Sequence, residues 1–147
     1  MTLKFVGGLL LALLLTLVTS TKSFAQAIVA TEITEPLANQ PGDAVRGRAI
    51  VLSRQSGLCI LCHSGPFPEE RFQGNLAPDL GVSAQRLTES QLRARIVDAS
   101  VFNPETIMPA YYRPAGSNRV ASSYAGKTLL TGQEIEDVVA FLMSLKP

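Results

Sequence analysis

The 147-residue chain is 46% hydrophobic and 17% charged, carries a formal net charge of +1, and has two cysteines and one histidine. Near-neutral charge gives no reason to expect a nucleic-acid or other polyanion partner, and the length leaves room for one small domain with one core. Two cysteines and one histidine are also one ligand short of the four that a structural zinc site commonly takes.

Met1 to Lys4 carries one positive side chain, and Phe5 to Val18 is apolar apart from two glycines and Thr16. That run is shorter than the ~20 residues of a spanning helix and is followed by the small-x-small pattern Ser23-Phe24-Ala25. Residues 1–25 are therefore expected to be a cleaved secretory signal, with an uncleaved anchor as the alternative. Cleavage removes Lys4 and Lys22, so the 13 basic side chains fall to 11 against 12 acidic ones. Export predicts a protein free of the membrane after cleavage, in a compartment that favours oxidised cysteine.

Residues 26–42 show no sustained period and contain two prolines, which predicts an irregular leader; the domain proper is expected over 43–147. Asp43 can cap a helix carrying Val45, Ala49, Ile50 and Leu52, with Gly47 permitting close approach of another backbone. From Ser64 to Arg86 the prolines and glycines exclude a long helix and predict a wrapping loop. Thr88-Glu-Ser-Gln91 is a capping-box sequence with a Leu87 and Leu92 staple, predicting a helix over 89–99 whose inner face is Leu92, Ile96 and Ala99. The same device at Thr131 and Glu134, with Leu130 and Ile135, opens a terminal helix that buries Ile135, Val138, Val139, Leu142 and Leu145 and ends near Lys146. Between them, Asn103-Pro104, Met108-Pro109 and Arg113-Pro114 mark a long loop, with room for a short hairpin before Lys127.

Cys59-Ile-Leu-Cys62-His63 is the C-x-x-C-H pattern of covalent haem attachment. On one helical turn the two thiols share a side and reach the two vinyl groups of one haem edge, while the next residue is turned by about 100° and brings its imidazole toward the iron. A redox dithiol would sit in an α/β context, and this chain has little strand pattern. A disulfide between residues so close would leave His63 idle. The sixth iron ligand has two sources once residue 1 is set aside, Met108 and Met143. Met143 lies at the edge of the terminal helix's apolar face, where methionine fills gaps; Pro109 holds Met108 extended in a loop able to cross a haem face, so Met108 is favoured. A thioether ligand raises the potential and suits an electron acceptor. Pro78 is a candidate to accept the second N–H of His63 on its carbonyl, against a simple loop-stiffening role. Arg113, Arg119, Tyr111, Tyr112 and Tyr124 are candidates to pair with haem propionates, or ordinary solvated surface.

A helix leading into C-x-x-C-H, a proline-containing loop, a Met-Pro and a terminal amphipathic helix resemble class I cytochromes c. The runs 72–80, 86–98, 103–109 and 126–142, above all Asn103-Pro-Glu-Thr-Ile-Met-Pro109, are similar to the SoxX family, the monohaem subunits of the SoxAX sulfur-oxidation complex. The resemblance spans about Asp43 to Lys146. It implies an all-α, class I cytochrome c-like domain holding one haem c, with Cys59 and Cys62 as thioethers, His63 and Met108 as axial iron ligands, and no catalytic residue of its own. It further implies a periplasmic, non-catalytic subunit of a two-subunit L-cysteine S-thiosulfotransferase. A SoxA-type partner with a Cys-ligated haem would join thiosulfate to a cysteine of the SoxYZ carrier protein, and this chain would pass the electrons to a soluble cytochrome c. Ala77 departs from the glycine usual before that proline. The competing functions are a freestanding soluble electron carrier and a gas-binding or peroxidatic haem protein with an open sixth position.

Overall fold

The computed structural model describes residues 32–113, 122 and 125–147. The expected signal segment, the start of the leader, Arg119, Tyr124 and most of the candidate hairpin lie outside them. Among the described residues there are four α-helices and no strand: α1 (Ala44–Leu52), α2 (Leu80–Arg86), α3 (Glu89–Val97) and α4 (Gly132–Ser144). Single 3₁₀ turns cover Cys59–Leu61 and Ala99–Val101. No described helix is long and apolar enough to cross a membrane.

Three of the four helix starts follow sequence signals. The Asp43 carboxylate accepts from the N–H groups of Val45 and Arg46. Thr88 with Gln91 and Thr131 with Glu134 form complete capping boxes, each satisfying two otherwise orphaned donors. The fourth, α2, was expected to be loop. Asp79 caps it, accepting from the N–H groups of Gly81 and Val82, and the stretch from Leu80 to Arg86 holds only one glycine and no proline. The breakers upstream shorten this helix to two turns without preventing it.

Of the residues expected to pack on α1, Ile50 and Leu52 lie against the core and Gly47 permits the close approach foreseen for it, but Val45 and Ala49 are exposed. Val45 is 81% exposed, whereas Gly47 and Val51 are buried and Ala44 packs on the core. The reason lies across the interface. A Cβ on Gly47 would fall on the Asp137 carbonyl and 2.9 Å from the Cβ of Phe141, so the inner face must be small where α1 lies against α4. This α1–α4 crossing is the most extensive helix contact. Around it pack Ile60, Leu80, Leu92, Ile96, Leu130, Ile135, Val138 and Leu142. Phe67 comes in from the loop and stacks on Phe141 at 6.0 Å, with the Arg48 guanidinium over its other side at 5.8 Å.

Residues 32–42 are built into this body. The Leu37 N–H donates to Glu136 (2.9 Å), the Ile33 N–H to the Ser90 carbonyl (3.0 Å), and the Asp43 N–H to Asp137 (2.8 Å). Arg93, 1% exposed, forks onto both oxygens of Glu136 (2.8 and 2.9 Å) and donates to the Ile33 carbonyl and to Glu89. Arg46 forks onto Asp137 at 2.7 and 2.8 Å. Burial raises the Glu136 carboxyl, but the bonds from Arg93 and the Leu37 N–H outweigh it and hold it below the ordinary range. The hydrogen bond from Arg46 does the same for Asp137 against the opposing effect of burial.

Two consequences are measurable. Arg93→Met leaves Glu136 charged and buried, so urea unfolding of the holoprotein should show a loss of about 3–5 kcal/mol. Adding Glu136→Leu should recover only part of it, because the Leu37 N–H then lacks its acceptor. With both carboxyls depressed in the folded state, their contribution is complete above the unfolded carboxylate range and is lost as pH falls through the folded values. The urea midpoint should hold from neutral pH to about pH 5 and fall below about pH 4.

Candidate haem attachment site

After α1 the chain reverses through residues 53–58. Ser53 accepts on its hydroxyl from the N–H groups of Gln55 and Ser56, and on its carbonyl from the Leu58 N–H (2.9 Å). Leu58 takes the left-handed conformation (φ 60°), a costly choice for a branched side chain. Its neighbour Gly57 is needed for space instead, since a Cβ there would fall on the Ile50 carbonyl.

The motif itself forms one tight turn. The Cys62 and His63 N–H groups both donate to the Cys59 carbonyl, at 3.1 and 2.9 Å. In a 3₁₀ turn residues three apart eclipse each other, so Cys59 and Cys62 share one side. Both thiols are free and half-buried. Ile60 points the other way and is completely buried, which pins the turn to the core.

A loop is laid directly over this turn. The Gly74 N–H donates to the Ile60 carbonyl (2.9 Å), the Ala77 N–H to the Cys62 carbonyl (3.0 Å), and the Leu80 N–H to the Ser64 carbonyl (2.8 Å). His63 and Ala77 form an isolated parallel bridge. Through it the Pro78 carbonyl stands 2.6 Å from His63 Nδ1. A carbonyl only accepts, so Nδ1 carries the proton and Nε2 presents a bare lone pair, as a metal-binding imidazole requires. Ala77 in place of glycine does not disturb this. Asp79 steadies the carbonyl from below, accepting from the Ser64 hydroxyl (2.9 Å) while it caps α2.

Met108 lies on an ordered loop. The Asn103 N–H donates to the Ala99 carbonyl (3.1 Å), the Asn103 side chain accepts from the Glu105 N–H (3.1 Å), and the Thr106 hydroxyl accepts from the Met108 N–H (3.2 Å). Met108 is half-buried against the core, whereas its neighbour Ile107 is 78% exposed. Met143 lines a separate groove of about 450 Å³ with Pro36, Ala38, Gly42, Glu136 and Ala140, which shares no residue with the motif or its covering loop.

The propionate candidates separate. Arg113 is held by Asp98 at 2.7 Å, and Tyr112 is exposed. Tyr111 is buried and donates its hydroxyl to the Gly57 carbonyl at 2.5 Å, a partner that sequence reasoning did not name.

The donor chemistry discriminates between uses of the motif. Burial pushes the Cys59 thiol up to about 11, against the lowered value of a reactive redox cysteine. Among the described residues no three His, Cys, Asp or Glu side chains converge as a metal-ligand set. Two free thiols on one side of a turn, an imidazole with a bare Nε2 and the exposed apolar side chains of Leu61, Leu76 and Ile107 fit a covalently held haem.

In comparison with known proteins, no family model and no curated protein matches the chain. Among solved structures it is similar to the crystal structure of SoxXA from P. pantotrophus, at 34% identity over 82% of this chain and 94% of that chain, with a TM-score of 0.74. The chain belongs to the SoxX family. Its all-α fold is that of a class I cytochrome c, and haem is the cofactor expected of a SoxX-type chain.

Gly74 offers a direct check on the covering loop. A Cβ there would fall on the Leu61 carbonyl and 2.5 Å from the Cys62 backbone. Gly74→Ala should cost about 1–3 kcal/mol in urea unfolding, because backbone and not a flexible side chain must yield.

Proposed function

We propose that this chain is the periplasmic electron-transfer subunit of a SoxXA-type thiosulfate-oxidising complex, holding one haem c. Cys59 and Cys62 would hold it through thioether bonds, and His63 Nε2 and Met108 would be its iron ligands. The observation that carries the reading is the turn at Cys59–Cys62 coupled to the 2.6 Å contact between His63 Nδ1 and the Pro78 carbonyl. It places two free sulfurs and one oriented nitrogen within five residues.

When bound, the haem supplies one-electron redox chemistry, and its Met/His ligation raises the potential. The protein's part is to hold and orient. The Pro78 carbonyl fixes the imidazole tautomer and makes Nε2 a better donor. Thr106 and Pro109 fix the backbone on either side of Met108. With His63 and Met108 both committed to the iron, the site would suit electron passage and would offer no place for substrate. The bond-forming chemistry then belongs to a SoxA-type partner, and a soluble cytochrome c takes the electrons onward. The overlap with SoxXA over most of both chains supports this assembly against a freestanding carrier.

Absorption spectra test the ligand set. The oxidised holoprotein should show the iron–thioether charge-transfer band, and Met108→Ala should abolish it while the reduced variant gains carbon monoxide binding. A band that survives in Met108→Ala moves the ligand to Met143. A tagged chain expressed with its neighbouring genes should copurify with a larger cytochrome, and a chain that emerges alone argues for the freestanding carrier.

A further inference from the structure

We infer that Tyr111 is a positioning residue for Met108, its buried hydroxyl clasping the stretch before the cysteine motif to the stretch after Met108 so that the two ligand-bearing segments keep one spacing. The inference rests on the ligand reading above, and it concerns a residue that the motif does not contain.

Tyr111 is tied down on every side. Its N–H donates to the Ile96 carbonyl (3.3 Å), and the next N–H, of Tyr112, to the Val97 carbonyl (3.2 Å), which satisfies carbonyls left over at the end of α3. Its own carbonyl accepts from the Leu130 N–H (3.1 Å), just ahead of α4. Its hydroxyl reaches 54 positions back to the Gly57 carbonyl at 2.5 Å. One residue thus joins α3, the approach to α4 and the approach to the motif.

The link to Met108 is short and stiff. Only Pro109 and Ala110 intervene, and the proline ring fixes its own φ. At the other end Gly57 has no freedom to drift, being pressed on the Ile50 carbonyl, and Cys59 follows two residues later. Movement of Tyr111 relative to Gly57 is therefore movement of Met108 relative to Cys59 and His63.

The hydroxyl is the informative atom. Packing alone would be served by phenylalanine, and an unpaired buried hydroxyl would be costly. In the free protein the Cys59 S–H also donates to the Gly57 carbonyl, at 3.3 Å. Thioether formation adds that S–H across a vinyl double bond, sulfur to one carbon and hydrogen to the other, so the Cys59 donor is consumed. The Tyr111 hydroxyl then remains as the side-chain donor on this carbonyl in the mature protein. Burial raises its phenol above the usual range, which favours the protonated, donating form.

The test is competition for the distal position by free imidazole, read in the spectrum of the oxidised holoprotein at pH 7.5. Tyr111→Phe should bind imidazole about three- to tenfold more tightly than wild type and show a weakened thioether band, in line with the loss of one hydrogen bond. Tyr112→Phe, on the exposed neighbour, should match wild type. A purely structural role would lower the melting temperature without moving imidazole affinity, and affinity within twofold of wild type overturns the inference. Met108→Ala separates the two failures: if it keeps the band, the ligand reading falls and the clasp with it; if it loses the band while Tyr111→Phe is unchanged, only the clasp falls. Should Tyr111→Phe not mature, Tyr112→Phe/Tyr124→Phe leaves Tyr111 as the last of the three tyrosines. Fluorotyrosine incorporated there is a stronger donor and should weaken imidazole binding about twofold; unchanged binding overturns the clasp.

Discussion

The fold depends on one close backbone contact, the crossing of the first and last helices at Gly47. There α1 lies directly on the Asp137 carbonyl of α4, and five residues earlier Gly42 lies in the same way against the Glu136 carbonyl. Side chains are excluded from both places, so the helices approach more closely than ridges of larger residues would allow. The end of α1 is thereby fixed in space, and the reversal at 53–58 delivers Cys59 a few residues later. The position of the motif is set by this crossing.

The polar groups beside the crossing are unusual for a core. Arg93 and Glu136 are both nearly inaccessible, and Asp137 is held by Arg46. Fixed charges of this kind are a weak source of net stability when compared with apolar packing, but removing one partner is expensive. Their geometry does something apolar residues cannot. Arg93 donates to the Ile33 carbonyl and Glu136 accepts from the Leu37 N–H, which gives residues 32–42 one defined path over α3 and α4.

What was legible in the sequence was local. Thr88 and Thr131 each carry a glutamine or glutamate three residues on, and an N-terminal helix signal of that type needs no tertiary context. The cysteine turn is legible for the same reason, since Cys59, Cys62 and His63 interact through the backbone of five residues. The α2 helix was hidden because the prolines and glycines of 65–78 extend close to its start, although Asp79 followed by Leu80 was a cap signal in plain view. On α1 the close approach at Gly47 was legible and Ile50 and Leu52 pack as their spacing suggested, but Val45 was misjudged, because its hydrophobicity says nothing of the partner helix that selects Ala44 and Gly47 for the inner face. The ties from Arg93 to Ile33 and from Tyr111 to Gly57 join residues 60 and 54 positions apart, and no local pattern announces them.

The function proposed for this SoxX-family chain rests on one chemical event, the joining of both cysteines of the turn to a single haem. Intact mass measurement of the exported protein under denaturing conditions, combined with thiol titration, tests it most directly. The account predicts a chain beginning at Gln26 that carries the added mass of one haem and no titratable thiol. A chain without added mass that titrates two thiols would contradict it.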